Sequence, residues 1–539
     1  MNCFQQIVNR VHIAALVGLF IVAGVGAVPA SGQTFSVVGA IPPTIGPIEN
    51  PAAQQVVQGR NGELYTISGY QGGLLSATTA GAFAEVAQPF GNGVTLGSDG
   101  NLYTAQYFDR DGCGEVWKTT PTGTSTELNT ICGIYGNGPE VSPTQAPNGI
   151  FYGPASEIPS GGAGTIYSIT SSGTVALVYN LSNATGSVPV APLVVGSDGE
   201  LYGGTRLGGS NNDGVLFRIT TGGTYTVLHN FAGSDGADLE RGLFLASDGN
   251  LYGVTQFGGT DNNGVFFKLT SSGAYTVLYN FPSTYPPVNS SLMQATDGNF
   301  YGLIEQGNSS QPGWIFSLST TGTFTIVHTF CQETDCTDGI APSTPLMQDT
   351  NGNLYGFTVH GGDASACDDV GCGVLYSLDI GAAPFASLES TSGKEGARAG
   401  IFGQGFNARS VVKFGGTQAT AVTPGGTGFL SATVPAGALT GAVTVTTGST
   451  TLTSSRTFDV TPTMLSFSPS SGSVGTSVTI SGTGLLQTTK VAFNGKSASF
   501  SVVSDSEVNA TVPAGATSGR IKVATRGGSV QSSTEFTVN

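Results

Sequence analysis

His360 stands beside Gly361-Gly362-Asp363, with Asp368 and Asp369 a few residues further on. An imidazole titrates near neutral pH, and imidazole and carboxylate both ligate metals, so this is a candidate acid/base or metal spot. Oxygen-rich loops recur elsewhere as Asp109-Arg110-Asp111-Gly112, Asn211-Asn212-Asp213 and Asp261-Asn262-Asn263. Such loops can hold calcium, which makes Asp109, Asp111, Asp213 and Asp261 candidate ligands. The plainer reading is that Asn and Asp sit there because they turn the chain easily. No other cofactor is implied. Tyr70, Tyr107, Phe108, Phe257 and Tyr285 fall near the same loops. With His360 and Asp363 they are the candidate contacts for an extracellular glycan or protein. His229 and His328 hold a position that Tyr279 fills in another repeat, which reads as packing, and Trp117 and Trp314 fall inside expected strands.

Of the seven cysteines, Cys3 lies in the N-terminal leader and an even set remains, as in a chain oxidised after export. Cys113 and Cys132 are symmetric about Thr122-Gly123, so an uninterrupted hairpin sets them opposite each other, within disulfide reach. Cys331/Cys336 and Cys367/Cys372 are both C-x4-C, and local pairs are favoured over cross-pairs. A zinc reading lacks the accompanying histidines.

These groups are carried by a repeat. Asp248-Gly249-Asn250-Leu251-Tyr252-Gly253 has near-copies ending at Tyr65, Tyr103, Tyr152, Tyr202, Tyr301 and Tyr355. The Tyr-to-Tyr spacings run from 38 to 54, a period at which stacked or radial units bury a face that none could bury alone. Around Tyr252 the unit reads as four strands: 242–246, 251–255, 265–269 and 275–281. Asp248-Gly249 is read as a two-residue turn, and Ser271-Ser272-Gly273 as the second hairpin turn. Four short antiparallel strands, seven times over, predict a seven-bladed β-propeller across residues 33–384. The Asp-Gly and Ser-Ser-Gly turns then share one face. Loops of variable length share the other, where binding is expected. Thr34-Phe35-Ser36-Val37-Val38-Gly39 matches a fourth strand and is expected to complete the last blade, whose own sequence runs into Pro384.

Residues 1–30 read as a signal peptide: Arg10, then an apolar run from Ile13 to Val28, then small residues. No later segment is apolar enough to span a bilayer, so the expectation is an exported protein: extracellular, at the cell surface or periplasmic. With 82 glycines and 10% charged residues the chain is a turn-rich β protein. A net charge of −16, with only 18 lysines and arginines, argues against nucleic acid and anionic membranes as partners.

From residue 385 the period changes. Ser392-Gly393-Lys394-Glu395-Gly396 matches Ser471-Gly472-Ser473-Val474-Gly475, Gly403-Gln404-Gly405-Phe406 matches Gly482-Thr483-Gly484-Leu485, and Val434-Pro435-Ala436-Gly437-Ala438 matches Val512-Pro513-Ala514-Gly515-Ala516. The offset means tandem copies of one all-strand domain, 385–461 and 462–539, sized for an immunoglobulin-like sandwich. On these motifs both copies resemble IPT/TIG domains. The D-G-N-L-Y-G, G-V-F-F-K-L-T and L-Y-N-F segments resemble the GloVer tandem repeat of exported bacterial proteins, which implies an exported repeat protein and carries over no catalytic residue.

The function expected is a secreted or surface, non-enzymatic binding or adhesion protein, with the Ig-like pair as stalk or docking module. One alternative is a structural matrix element without a specific ligand. The other is a propeller-type polysaccharide lyase or glycosidase. The Ser-x-Asp-Gly strings are superficially similar to sialidase Asp-boxes, but a sialidase needs clustered arginines. The repeats hold only Arg60, Arg110, Arg206, Arg218 and Arg241.

Overall fold

The structure is a computed structural model that describes residues 33–48, 55–68, 73–88, 91–108, 113–136, 138–139, 141–156, 162–288, 291–305, 312–367 and 370–539; the leader lies outside them. The described chain is all-β, with two short 3-10 turns at Gly133–Tyr135 and Thr334–Cys336.

Up to residue 380 the described residues form seven antiparallel sheets, each built from four consecutive strands, with one exception. In the fifth sheet these are Leu243–Leu245, Leu251–Val254, Val265–Leu269 and Tyr275–Asn280. The second and third strands are the buried pair: Leu251–Val254 is buried throughout, and in the Val-Phe-Phe-Lys-Leu third strand Val265, Phe266, Phe267 and Leu269 are buried and only Lys268 reaches outward. The exception is the seventh sheet, where Leu354–His360 and Val374–Asp379 pair with Thr34–Ala40 from the start of the chain.

The recurring motif is a closed polar box. Tyr252 Oη donates to Asp248 Oδ2 at 3.0 Å, while Asp248 Oδ1 accepts from the Asn250 amide at 3.0 Å. The same pair is made by Tyr103 and Asp99, Tyr202 and Asp198, and Tyr301 and Asp297. Where the motif has Asn, its amide donates to the Tyr hydroxyl, as at Asn351 and Tyr355. Burial works against the Asp248 carboxylate, but donors from Asn250, Lys268 and Tyr252 outweigh it and hold its pKa at about 2. The glycine that follows five of the seven tyrosines is set by packing: a Cβ on Gly253 would stand 2.6 Å from Phe267 Cζ.

The Asp-Gly turn is longer than the two residues expected. Gly249 N bonds Ala246 O and Ala246 N bonds Asn250 O, closing Ser247-Asp248-Gly249 as a three-residue loop with Gly249 at φ +77°. The outer turn Ser271-Ser272-Gly273 closes the same way. The hairpin carrying Cys113 and Cys132 also differs. Its loop centres on Thr122, and a bulge at Leu128 then restores the register, so that Gly114 faces Ile131. The two departures cancel, and the cysteines stand 4.8 Å apart at Cα, at disulfide distance. Cys331 with Cys336 and Cys367 with Cys372 are likewise at disulfide distance, compatible with export.

Neighbouring sheets meet through a repeated contact. A ring in one outer strand stacks on the first ring of the next: Tyr179 on Tyr225, His229 on Tyr275, Tyr279 on Phe324 and His328 on Phe35. His229 and His328 are therefore packing residues. Burial keeps His328 neutral, lowering its pKa to about 4. Phe35 thus does in the N-terminal strand what Tyr225, Tyr275 and Phe324 do in fourth strands. That strand carries the same bulge, at Val38. The Val38 carbonyl lies so close to Gly81 of the first sheet that a Cβ there would stand 2.5 Å from it. Tyr355, Phe357 and Leu375 of the seventh sheet share a core with Val56, Leu64 and Leu75 of the first.

After Phe385 the chain forms two units of two sheets each. The strands Ser387–Leu388, Arg398–Phe402, Phe429–Thr433 and Val422–Pro424 make one sheet, in that spatial order. Thr463–Ser468, Ser477–Thr483, Glu507–Thr511 and Phe500–Ser504 repeat the order in the second unit. The facing sheets also match, including a parallel pairing of Ser392–Gly393 with the end of Thr450–Val460 and of Ser471–Gly472 with the end of Gly528–Val538. Each unit encloses its own core, around Ile401 and Phe458 in one and Ile480 and Phe536 in the other.

Candidate functional site

The two faces of the sheet array are built differently. On the face of the Asp-Gly turns, the first C-terminal unit is docked directly. Arg60 Nε donates to Glu389 Oε1 at 2.8 Å and its Nη2 to Oε2 at 2.9 Å, a fork that fits a carboxylate. The same guanidinium lies 4.9 Å from the Phe429 ring centre. Burial pushes the Glu389 pKa up and Arg60 opposes it. Phe385 N donates to Thr350 O at 3.0 Å, and Gln404 Nε2 to Thr350 Oγ1 at 2.9 Å. Arg456 crosses the same boundary to the Leu245 carbonyl and lies over Phe244.

The opposite face carries the variable loops. Here a recess of about 290 Å³ opens among the innermost strands, lined by the polar Gln55, Glu240, Arg241 and Ser291 and by the apolar Val57, Leu243 and Met293. Arg241 is 7% exposed and faces Glu305 at 3.5 Å. Burial raises the Glu305 pKa to about 8, against the pull of Arg241 and with a further push from Glu240. A carboxyl protonated near neutrality beside a guanidinium can donate a hydrogen bond or a proton. Arg206 makes a second charged contact on this face, with Asp238 at 2.9 Å. Arg206, Gln256 and Glu305 occupy one repeat position. One residue on, Leu207 and Phe257 stand at another and are 43% and 37% exposed.

Of the residues singled out from the sequence, those that the structure describes lie on several different sheets and loops. Phe257 is exposed. Tyr285 is no open platform: it is half-buried against Trp314, with ring centres 6.0 Å apart, and against Phe324. Tyr107 and Phe108 end the strand Leu102–Phe108, opposite Gly114 and Cys113. Tyr70, Asp109, Asp111, Asp368 and Asp369 lie outside the described residues. His360 pairs with Ile340 in the seventh sheet, and its Nδ1 is buried with no hydrogen-bond partner among the described residues. Asp363 is turned to its own loop, accepting from Ser365 N at 3.0 Å and Ser365 Oγ at 2.6 Å, which lowers its pKa. No hydrogen bond joins it to His360 among the described residues.

The Asn/Asp loops are stapled internally. Asn212 and Asn262 adopt positive φ and accept from Gly208 N and Gly258 N, and Asp261 accepts from Ser283 N at 3.1 Å. Asp213 contributes its carbonyl to Asp238 N. Among the described residues no three His, Cys, Asp or Glu side chains stand together as a metal site. Sequence reasoning missed Glu305 and Arg456. Aligning the repeats flags Glu305, as an acid where Arg206 and Gln256 stand; nothing local flags Arg456.

Stacked four-stranded repeat sheets with appended two-sheet units define the class: a propeller-like repeat protein with an immunoglobulin-like C-terminus. Within it, the chain carries the Gloeobacter/Verrucomicrobia repeat, matched over residues 89–288, and an IPT/TIG domain, matched over 462–538. No curated protein matches it. Among solved structures, it is similar to a streptogramin B lyase at 15% identity and a TM-score of 0.44, covering 64% of this chain and 97% of that one. Virginiamycin B lyase from Staphylococcus aureus in complex with quinupristin matches at 16% and 0.45, over 65% and 99%. The PQQ-bound aldose sugar dehydrogenase of Streptomyces coelicolor matches at 13% and 0.36, over 65% and 99%. None of these likenesses bears on a reaction for this chain.

Proposed function

We propose that the chain is an exported, non-enzymatic binding protein whose variable-loop face takes an extracellular glycan or protein. In this reading the seven sheets are the blades of a closed propeller spanning 33–384. Residues 385–461 form a second Ig-like domain of the kind matched at 462–538. The observation that carries the reading is the occupied Asp-Gly face: the first C-terminal unit is docked there through Arg60, Glu389 and Arg456, on the side away from the variable loops. That face offers Leu207 and Phe257 in register on neighbouring sheets, with the Arg206–Asp238 pair between them in the repeat, a mix of apolar and polar groups suited to recognition. The Ig-like pair then holds the propeller with its open face outward.

The test is binding of the full mature chain to immobilised glycans and surface proteins, repeated with Leu207→Asp/Phe257→Asp. The expected result is a ligand whose affinity falls at least about tenfold in the double variant, a loss of roughly 1.4 kcal/mol. Undiminished binding by that variant would move the site off this face. A second reading, action on a polysaccharide, draws on the protonated Glu305 beside Arg241. Turnover of a polysaccharide that Glu305→Gln abolishes would replace the binding account.

A further inference from the structure

Arginines in the sheet array face carboxylates: Arg60 faces Glu389, Arg206 Asp238, Arg218 Glu200 and Arg241 Glu305. Arg456, from the strand Thr450–Val460 of the first C-terminal unit, faces none among the described residues. Its polar partner is the Leu245 carbonyl, taken by one Nη, and its plane lies 5.5 Å from the Phe244 ring centre. The side chain is half-buried, and that burial lowers its pKa. A half-buried guanidinium with N–H donors left over from the Leu245 carbonyl favours an anion beside it.

Space for one is present. Three recesses converge on Arg456, of about 580, 350 and 200 Å³. The largest lies between the innermost strands and the first C-terminal unit. It is walled by Leu193, Val194 and Leu245 on one side and by Ser387, Thr391 and Ser392 on the other. Glu389 also lines it, but its carboxylate is committed to Arg60. The smallest recess runs out past the turns at Ser197-Gly199 and Ser247-Gly249, which gives a way in along the crevice between the two units. A volume of this size, part apolar and part hydroxyl-lined, is that of a small-molecule site.

We propose that this interdomain recess is a second binding site, separate from the variable face, for a small carboxylate of about sugar-acid size, with Arg456 as its charge partner. A planar carboxylate matches the guanidinium fork better than a tetrahedral oxyanion does. The serine and threonine hydroxyls suit the rest of a polyhydroxylated ligand. Binding is coupled to docking, because the site has one wall on each unit.

D-glucuronate is the probe, D-glucose the neutral control and sulfate the tetrahedral one, each titrated calorimetrically against the full mature chain. The expected result is glucuronate binding at least tenfold tighter than either control, lost in Arg456→Gln and partly kept in Arg456→Lys. Because Arg456 also helps dock the unit, protection is read in the unsubstituted chain as well. Glucuronate should slow phenylglyoxal modification of Arg456, mapped by mass spectrometry, several-fold, and glucose should not. Equal affinity for glucuronate and glucose, unprotected Arg456, or glucuronate binding unchanged in Arg456→Gln would overturn the proposal.

Discussion

Deleting residues 33–40 is expected to lower the thermal unfolding midpoint by roughly 5 °C or more and to make the protein associate as concentration rises. The strand Thr34–Ala40 pairs along the whole of Val374–Asp379. It brings Phe35 between His328, Phe330 and Tyr376, with ring centres at 3.6, 5.6 and 5.5 Å. Phe35 is partly buried, and losing its ring costs about 1.5–3 kcal/mol. The deletion also strips Val374–Asp379, a buried strand, of its outer neighbour. A bare edge of that kind pairs with other chains. Differential scanning calorimetry and light scattering read both effects. An unchanged midpoint in a monomeric deletion variant would mean that the strand closes nothing.

Arg60→Met is expected to cost more than Glu389→Gln, although both break one ion pair. The Glu389 side chain is 7% exposed and the Arg60 side chain 30%. Removing the arginine leaves a buried carboxylate without its cation, a loss of about 3–5 kcal/mol. Removing the carboxylate leaves a guanidinium that keeps the Ser98 carbonyl, the Phe429 ring and some water. In calorimetry, Arg60→Met should split unfolding into a lower transition for the released C-terminal unit and a higher one for the sheet array. Glu389→Gln should shift the profile only slightly. Equal effects, or a single unshifted transition in Arg60→Met, would show that this pair does not hold the units together.

Much of the architecture was legible because one motif does one structural job everywhere. Asp248 and Tyr252 must be four residues apart for the box to close, and Gly253 must be glycine for Phe267 to pass, so the pattern survives even where the loops differ. Phe35 could be matched to Tyr225 for the same reason, since both stack on a ring of the preceding sheet. Turn detail was less legible: Asp-Gly suggested a two-residue turn, but the aspartate also serves the tyrosine, and the loop takes a third residue to allow it. The Cys113–Cys132 pairing came out at the expected distance through a bulge that symmetry about Thr122-Gly123 does not contain.

The sites were the least legible part. Tyr285 looked like a loop aromatic, but the loop folds back on Trp314. Glu305 acquires its raised pKa from burial and from Glu240, against the pull of Arg241, and both residues come from another segment. Arg456 stands more than 200 residues from Leu245, and only the docking of one unit on another brings them together.

The proposed ring is closed by its own N-terminal strand, and a cross-link reads that closure directly. Ser36 and Ser377 are paired at Cα across the closing ladder, a separation that suits a disulfide. In Ser36→Cys/Ser377→Cys, peptide mapping of the non-reduced monomer should find residues 36 and 377 joined within one chain. Free thiols at both positions, or a link formed only between two chains, would contradict it.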